Sequence, residues 1–387
     1  MPKKAVLISC FHYYERRIRL IEDFFSSKGY DCLYITADFD HVSKREFCVF
    51  DDACVQIPTR PYQKNLSADR LMSHWQFARD TFKKVAEYQP DVIYMIVPPN
   101  SLCRFAAQYK KRRPQVKMIY DLYDLWPETF PSTRAKKLLA APFAVWRHVR
   151  DCGLKAADLI LTECELYQQR LKKQLRGLNT GVLPLCAPWE APSTPVKTWR
   201  SDEIKLCYLG SINSIIDMAG IAALISTLSQ QRKVTLDIIG SGETQAILVE
   251  KARAAGAGVT VHGPIYEHEK IQKIINRCDF GLNLMKSSVC VGLTMKSADY
   301  FAGGLPVISN IPADTQQWIH AYGAGVHIIE GNYTQAAERI AQLTEEAHTK
   351  MRVGAAKLHR EKLSRMAFIR NLERQAGGLL NDWKGRN

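Results

Sequence analysis

Residues 296–309 read KSADYFAGGLPVIS: a helix-like stretch, a Gly-Gly turn and a short apolar run. Helix, glycine turn and buried strand, in that order, are the grammar of an α/β fold. The stretch also carries a cation and a carboxylate three residues apart, Lys296 and Asp299, just ahead of the glycines. Positions i and i+3 share a helix face. The two side chains therefore form either an exposed ion pair or a grip for an anion that also bears hydroxyls. The rest of the chain decides between them.

Outward from this segment the same grammar repeats. Apolar runs stand at IKLCYLG (204–210), VTLDIIG (234–240), VTVHG (259–263), DFGLNLM (279–285) and LPVIS (305–309), with helical patterns between them. Residues 334–346 and 355–383 read as terminal helices. The first half alternates likewise, with strands expected at 5–10, 31–36, 91–97, 117–123, 157–163 and 181–185, and helices at 67–88 and 101–112. Near-continuous apolar strands separated by helices mark parallel sheets covered on both faces. CAPWEAPSTPVKTWR (186–200) is rich in proline and without periodicity, which reads as a linker. At 387 residues the chain exceeds the size at which one core stops growing. The expected architecture is α/β, with two Rossmann-like, doubly wound parallel-sheet domains facing a cleft. Their bounds are 1–187 and 201–365, with a linker at 188–200 and a C-terminal helix at 366–387 packing back on the first domain. Ligands of open α/β sheets bind outside the C-terminal ends of the strands.

Composition narrows the function classes. The chain is 46% hydrophobic and 24% charged, as in globular proteins. Its longest nearly apolar run, LLAAPFAVW (138–146), is too short to span a bilayer. MPKKAVLISC turns polar at once and lacks the apolar stretch of a signal peptide, so a cytoplasmic location is expected. The cysteines number eleven with no C-x-x-C pair, which points to reduced thiols rather than disulfides or a metal centre. Net charge is +14, and residues 1–187 hold 30 Lys/Arg against 20 Asp/Glu. Such a basic half implies nucleic acid, an acidic membrane surface or a phosphate-bearing substrate. No aromatic-basic RNA motif or recognition-helix pattern supports nucleic acid.

The second half holds the candidate binding residues. Gly240 lies in IIGSGE (238–243), a strand-to-helix turn that suits either close backbone approach to a ligand or packing alone. VHGPIY (261–266) is another strand exit, where Gly263 and Ile265 offer a flat surface for a base. The loop 287–294 leads into the helix of Lys296. Backbone amides at Gly292, Leu293 and Thr294 then form an anion site at a helix N-terminus. Lys296 is placed to neutralise a diphosphate and Asp299 to accept hydrogen bonds from a ribose diol.

The pattern K-x-x-D-Y-x-A-x-G-x-P-V resembles the nucleotide-sugar signature of family-four glycosyltransferases, which have the two-domain GT-B fold. The G-S-G-E turn, VHGPIY and DFGLNLM fall in that family's order, so the resemblance covers about 204–310 and the first domain in outline. It implies a nucleotide-diphosphate sugar donor of UDP or GDP type, with Asp299 at the position that holds the donor ribose. It implies no required metal or other cofactor. The family's first glutamate falls on Val291, and its Arg and Lys after the first strand of this domain are replaced by Ser211 and Asn213. Lys296, with Lys286, is then left to supply the positive charge.

In the first half, YDLYDLWPE (120–128) looks like the HDLWP-type loop of family members that build bacterial surface polysaccharides. The family's histidine falls on Tyr123, and Asp124 matches the carboxylate after it. Asp121, Asp124 and Glu128 form a carboxylate group suited to sugar hydroxyls, while Asp124 is also placed to cap a helix. His12 follows the first strand and is either a packing residue or a base. D-F-D (38–40) has metal-motif spacing but matches by chance too readily to carry weight. Residues 134–150 combine Arg134, Lys136, Lys137, Arg147 and Arg150 with Leu138, Phe143 and Trp146. This suits a helix on an anionic membrane surface or an ordinary amphipathic core helix. The resemblance thus implies a hexosyl- or N-acetylhexosaminyltransferase for capsule, O-antigen or exopolysaccharide. It would retain anomeric configuration, with a polyprenyl-diphosphate-linked saccharide as acceptor. A GT-B sugar-nucleotide 2-epimerase or hydrolase is the alternative, and a nucleic-acid binder is a third.

Overall fold

Apolar runs long enough to be buried on both faces become parallel strands in this computed structural model, which describes residues 2–49, 54–130, 138–187, 189, 199–329 and 331–381. The chain divides into two compact units, Met1–Leu183 with Ile369–Asn387, and Pro184–Phe368.

Unit 1 contains β1 (Lys3–Ile8), β2 (Tyr30–Ala37), β3 (Phe39–Asp40), β4 (Arg45–Glu46), β5 (Cys54–Ile57), β6 (Val92–Val97), β7 (Lys117–Leu122), β8 (Leu159–Thr162) and β9 (Thr180–Val182). Seven of these form one sheet in the order β5-β2-β1-β6-β7-β8-β9, and β3 pairs with β4 as a small antiparallel ribbon. Every residue of β6 is buried, which is why its sequence, VIYMIV, shows no polar alternation. The helix Ala68–Tyr88 turns Phe77, Phe82 and Val85 inward. It starts where Ser67 Oγ accepts a hydrogen bond from the Arg70 amide. The last helix, Arg365–Asn381, returns the chain to unit 1, where Asn371 Nδ2 donates to the Val182 carbonyl at 3.0 Å.

Unit 2 contains β10 (Glu203–Leu209), β11 (Lys233–Ile239), β12 (Ala257–Gly263), β13 (Phe280–Asn283), β14 (Val307–Ser309) and β15 (Gly325–His327). They form a parallel sheet in the order β12-β11-β10-β13-β14-β15. The helices Met218–Ser229 and Tyr333–Ala341 pack on it through Ile221, Leu224, Ala337 and Ile340. The helical pattern expected over 334–346 ends at Ala341, and Thr344 caps a new helix, Glu345–Leu358. The expected helix from 355 is likewise divided, because Ser364 Oγ accepts from the Ala367 amide and starts Arg365–Asn381 afresh. Most of the expected linker, residues 188 and 190–198, lies outside the described residues.

In both units the strand order reverses beside the first strand, at β1/β6 and at β10/β13. These switch points open a crevice at the C-terminal ends of the strands, where the neighbouring loops diverge.

Candidate functional site

In unit 2 the crevice lies beyond the β10–β13 pairing of Cys207 with Gly281. The helix Met295–Ala302 is fixed to both strands by one side chain. Tyr300 Oη accepts from the Leu209 amide at 2.7 Å and lies 3.1 and 3.3 Å from the carbonyls of Cys207 and Leu282. Its ring fills the space over Gly281, where a Cβ would stand 2.6 Å from it. At the helix start Thr294 Oγ1 accepts from the Ser297 amide at 3.1 Å. Asn283, fully buried at the end of β13, donates to Thr294 Oγ1 and Ser297 Oγ. The loop before it is anchored too, since the Gly292 carbonyl accepts from the amide and hydroxyl of Thr315, and Leu293 is buried. The helix N-terminus at 292–294 is thus held rigidly at the crevice.

Lys296 forms no ion pair with Asp299. Its Nζ donates to Tyr208 Oη at 2.8 Å and lies 3.9 Å from the Tyr208 ring centre, while its stem runs beside Gly210. Tyr208 in turn donates to the Ser211 carbonyl. Among the described residues no carboxylate pairs with Lys296. Burial pushes its pKa down from 10.5 to about 7. A desolvated ammonium beside helix-terminal amides is an arrangement that an anion would relieve. Asp299 is half-buried one turn further along the same helix.

The glycines divide between two roles. At Gly240 (φ 141°) a Cβ would stand 2.1 Å from the Gly210 carbonyl oxygen, so the G-S-G turn packs against the loop after β10. Gly263 (φ 72°) has nothing within 4 Å of its Cβ position, so its surface is open, with Ile265 half-buried beside it. Ser211 is exposed, and Asn213 spends its Oδ1 on the Ile215 amide. At the C-terminal ends of β13–β15 lies a cavity of about 510 Å³ whose lining includes Asp217, Lys286, Val291, Asn310 and Tyr333. Val291, at the position of the family's glutamate, therefore gives that cavity an apolar wall.

The unit 1 crevice is filled by side chains. Asp121, in the expected carboxylate group, is fully buried, receives Arg17 Nε at 2.6 Å and accepts from Tyr94 Oη at 2.6 Å. Glu128 is taken by Arg150 at 2.7 Å. Asp124 is left at the crevice. Its Oδ1 accepts from Thr129 Oγ1 at 2.7 Å, and burial raises its pKa. Tyr123 lies over Arg17 and edge-on to Tyr14. His12 points elsewhere, with Nε2 3.3 Å from Glu15 and its ring against Phe47. The D-F-D carboxylates serve local turns: Asp38 accepts from the Thr59 amide, and Asp40 from the amides of Val42 and Ser43. Among the described residues no group of three or more His, Cys, Asp or Glu is arranged for a metal, and the cysteines are free thiols.

The segment suited to a membrane surface is only partly described, because Arg134, Lys136 and Lys137 lie outside the described residues. In the helix Ala140–Asp151, Phe143 and Trp146 pack on Trp126, and Arg150 is buried against Glu128 and Asp151. Leu138 and Val145 remain exposed. No helix among the described residues is long and apolar enough to cross a membrane.

Sequence reading missed Arg70, which is 8% exposed, and Tyr300 as the tie between helix and sheet. The tyrosine lies inside the K-x-x-D-Y motif, but its partners are 18 to 93 residues away.

Two doubly wound parallel sheets with crevices at their switch points define the GT-B architecture, and known structures share it across the whole chain. Sucrose-phosphate synthase from Thermosynechococcus elongatus superposes with a TM-score of 0.71 at 14% identity, over 98% of this chain and 100% of that one. The lipopolysaccharide outer core galactosyltransferase WaaB gives 0.65 at 15% identity, over 97% and 99%. HepE of Anabaena, in complex with UDP and glucose, gives 0.64 at 13% identity, over 98% and 100%. Residues 203–346 match the family model described as glycosyl transferases group 1, so the chain resembles GT-B glycosyltransferases and its second unit carries the sequence match. No curated protein matches the chain significantly by sequence.

Proposed function

We propose that the protein is a glycosyltransferase whose unit 2 binds a nucleotide-diphosphate sugar and whose unit 1 holds the acceptor. The observation that carries this reading is Lys296, desolvated against Tyr208 without a carboxylate partner among the described residues, beside a capped helix N-terminus and the glycine loop after β10. In the reaction the bond between the anomeric carbon and the diphosphate oxygen breaks, and its electron pair leaves with the diphosphate. An acceptor hydroxyl oxygen bonds to that carbon and passes its proton to the departing diphosphate oxygen, with retention of configuration. Lys296 and the amides at 292–294 stabilise the charge that develops on the diphosphate, which is usually the largest catalytic contribution. Asp299 takes the ribose hydroxyls, while Gly263 and Ile265 face the base. The UDP bound by HepE supports a UDP-type donor.

The acceptor in this reading is a saccharide, lipid-linked and destined for bacterial capsule, O-antigen or exopolysaccharide. The transferred group is a hexose or N-acetylhexosamine, and no metal is required. The protein works in the cytoplasm, peripherally at the inner membrane face. The net charge of +14 and the exposed Leu138 and Val145 support that location. A thermal-shift screen with UDP-, GDP- and dTDP-sugars tests the donor: one nucleotide class raises Tm, and Asp299→Ala abolishes the rise. Absence of any shift sinks the reading. Conversion of the donor with no acceptor present would instead identify an epimerase or hydrolase.

A further inference from the structure

Unit 1 holds a second buried cation that the proposed chemistry leaves unused. Arg70 sits in the first turn of the helix Ala68–Tyr88, and only 8% of it is exposed. A helix N-terminus repels positive charge, and a buried charge ordinarily requires a hydrogen-bonded counter-ion. Arg70 has none among the described residues. Its Nη1 donates to the Asn65 carbonyl at 2.9 Å, its Nε lies 3.5 Å from His74 Nε2, and its guanidinium stacks 5.1 Å from the Trp126 ring. Asp69, beside it in the chain, pairs with Arg60 instead. Asp124 acts on Arg70 through space, while its own Oδ1 is taken by Thr129.

More positive charge gathers at the same place. Lys44 reaches the side chain of Asn65, whose backbone carbonyl Arg70 holds, and its Nζ lies 4.7 Å from the Tyr62 ring centre. Lys44 also has φ +60°, a left-handed backbone that a non-glycine residue seldom adopts without cause. His41 contacts Tyr62 Oη at 2.5 Å, and burial, Arg70 and Lys44 together press its pKa down to about 3. The nearest acid on that loop, Asp40, is bonded to the amides of Val42 and Ser43. Two cations thus converge on Asn65, Arg70 at the wrong end of a helix and Lys44 at a left-handed backbone position, with Asp124 and Asp40 acting on them only through space. An anion seated there would supply the counter-charge that neither cation has in direct contact among the described residues.

We propose that Arg70 and Lys44 form an anion site in unit 1 for a phosphate or diphosphate group. Resting on the reading of unit 1 as the acceptor unit, that group belongs to the acceptor, which is therefore anionic. The source is either a soluble phosphosaccharide or the headgroup of a lipid carrier, and the recognition chemistry is the same for both.

The test is a calorimetric and thermal-shift titration of the full chain with inorganic pyrophosphate. Two sites are expected, one removed by Lys296→Gln and the other by Arg70→Gln. Lys44→Gln weakens the second about tenfold, as the loss of one charge-assisted contact does. Without ligand, Arg70→Gln keeps or raises Tm, because it removes a buried cation that no carboxylate contacts directly among the described residues. If Arg70→Gln and Lys44→Gln both titrate like the parent, the site does not exist. A fall in the Tm of Arg70→Gln, with Lys44→Gln binding normally, assigns Arg70 to packing on Trp126 and also overturns it. Vesicles of phosphatidylglycerol in phosphatidylcholine distinguish the sources. Sedimentation that pyrophosphate and Arg70→Gln both abolish indicates a lipid headgroup, whereas a protein that binds pyrophosphate but stays in the supernatant indicates a soluble phosphate. Pyrophosphate binding at Arg70 in a protein that transfers no sugar would leave this site standing and sink the transferase reading alone.

Discussion

The two units solve the same topological problem with opposite materials. At β10/β13 the rim is built of short loops and glycines, with Lys296 and Lys286 beside them. At β1/β6 the corresponding space is packed with Phe11, Tyr13, Tyr14 and Tyr123, and Arg17 beneath them is neutralised by Asp121. Strand order places a crevice in both. The residues at the strand ends decide whether it presents bare backbone, suited to a diphosphate, or rings and hydroxyls, suited to a saccharide.

Four substitutions probe this contrast. Asp121→Ala leaves Arg17 buried without its counter-ion and is expected to cost about 3–5 kcal/mol in urea unfolding. A loss under about 1 kcal/mol would mean that the pair does not hold unit 1 together. Lys296→Gln is expected to lower kcat about a hundredfold, the scale of losing one preorganised charge contact. It also removes a pH signature. Folded Lys296 titrates near 7 against 10.5 in the unfolded chain, so between these values the unfolded state binds more protons. Stability of the unliganded protein therefore rises with pH through that window, and Lys296→Gln flattens the rise. A bound diphosphate lifts the lysine back, so nucleotide binding at pH 8 takes up protons, measurable by calorimetry in buffers of different ionisation enthalpy. Gly240→Ala drives a methyl into the Gly210 carbonyl and should cost about 2 kcal/mol. Gly263→Ala meets open space and costs only about 1 kcal/mol for its positive φ, and under the proposed function it also weakens nucleotide binding. Equal stability losses at the two glycines would erase the distinction between packing and binding turns.

Much of the fold was legible because parallel strands buried on both faces leave uninterrupted apolar runs. VIYMIV, LCYL and FGLN all fell within predicted strands. The start of the helix Met295–Ala302 was legible for a related reason: a glycine–threonine stretch ahead of a helical pattern is a local capping signal. What stayed hidden was pairing across distance. Arg17 and Asp121 are 104 residues apart, and nothing local in either segment announces that the carboxylate is consumed internally rather than offered to sugar. Lys296 and Asp299 suggested mutual attraction by spacing alone. The aromatic face of Tyr208, 88 residues upstream, captures the lysine instead. Arg150 likewise looked like part of a basic surface until Glu128 and Asp151 claimed it.

Tyr300 and Gly281 constrain how this chain can diverge. The ring occupies the volume that any side chain at 281 would need, and the hydroxyl serves the buried amide of Leu209. Neither position can drift alone: a methyl at 281 evicts the ring, and a smaller residue at 300 leaves both a void and an orphaned donor. The two positions are coupled, and a substitution at one changes the space or the bonding left to the other.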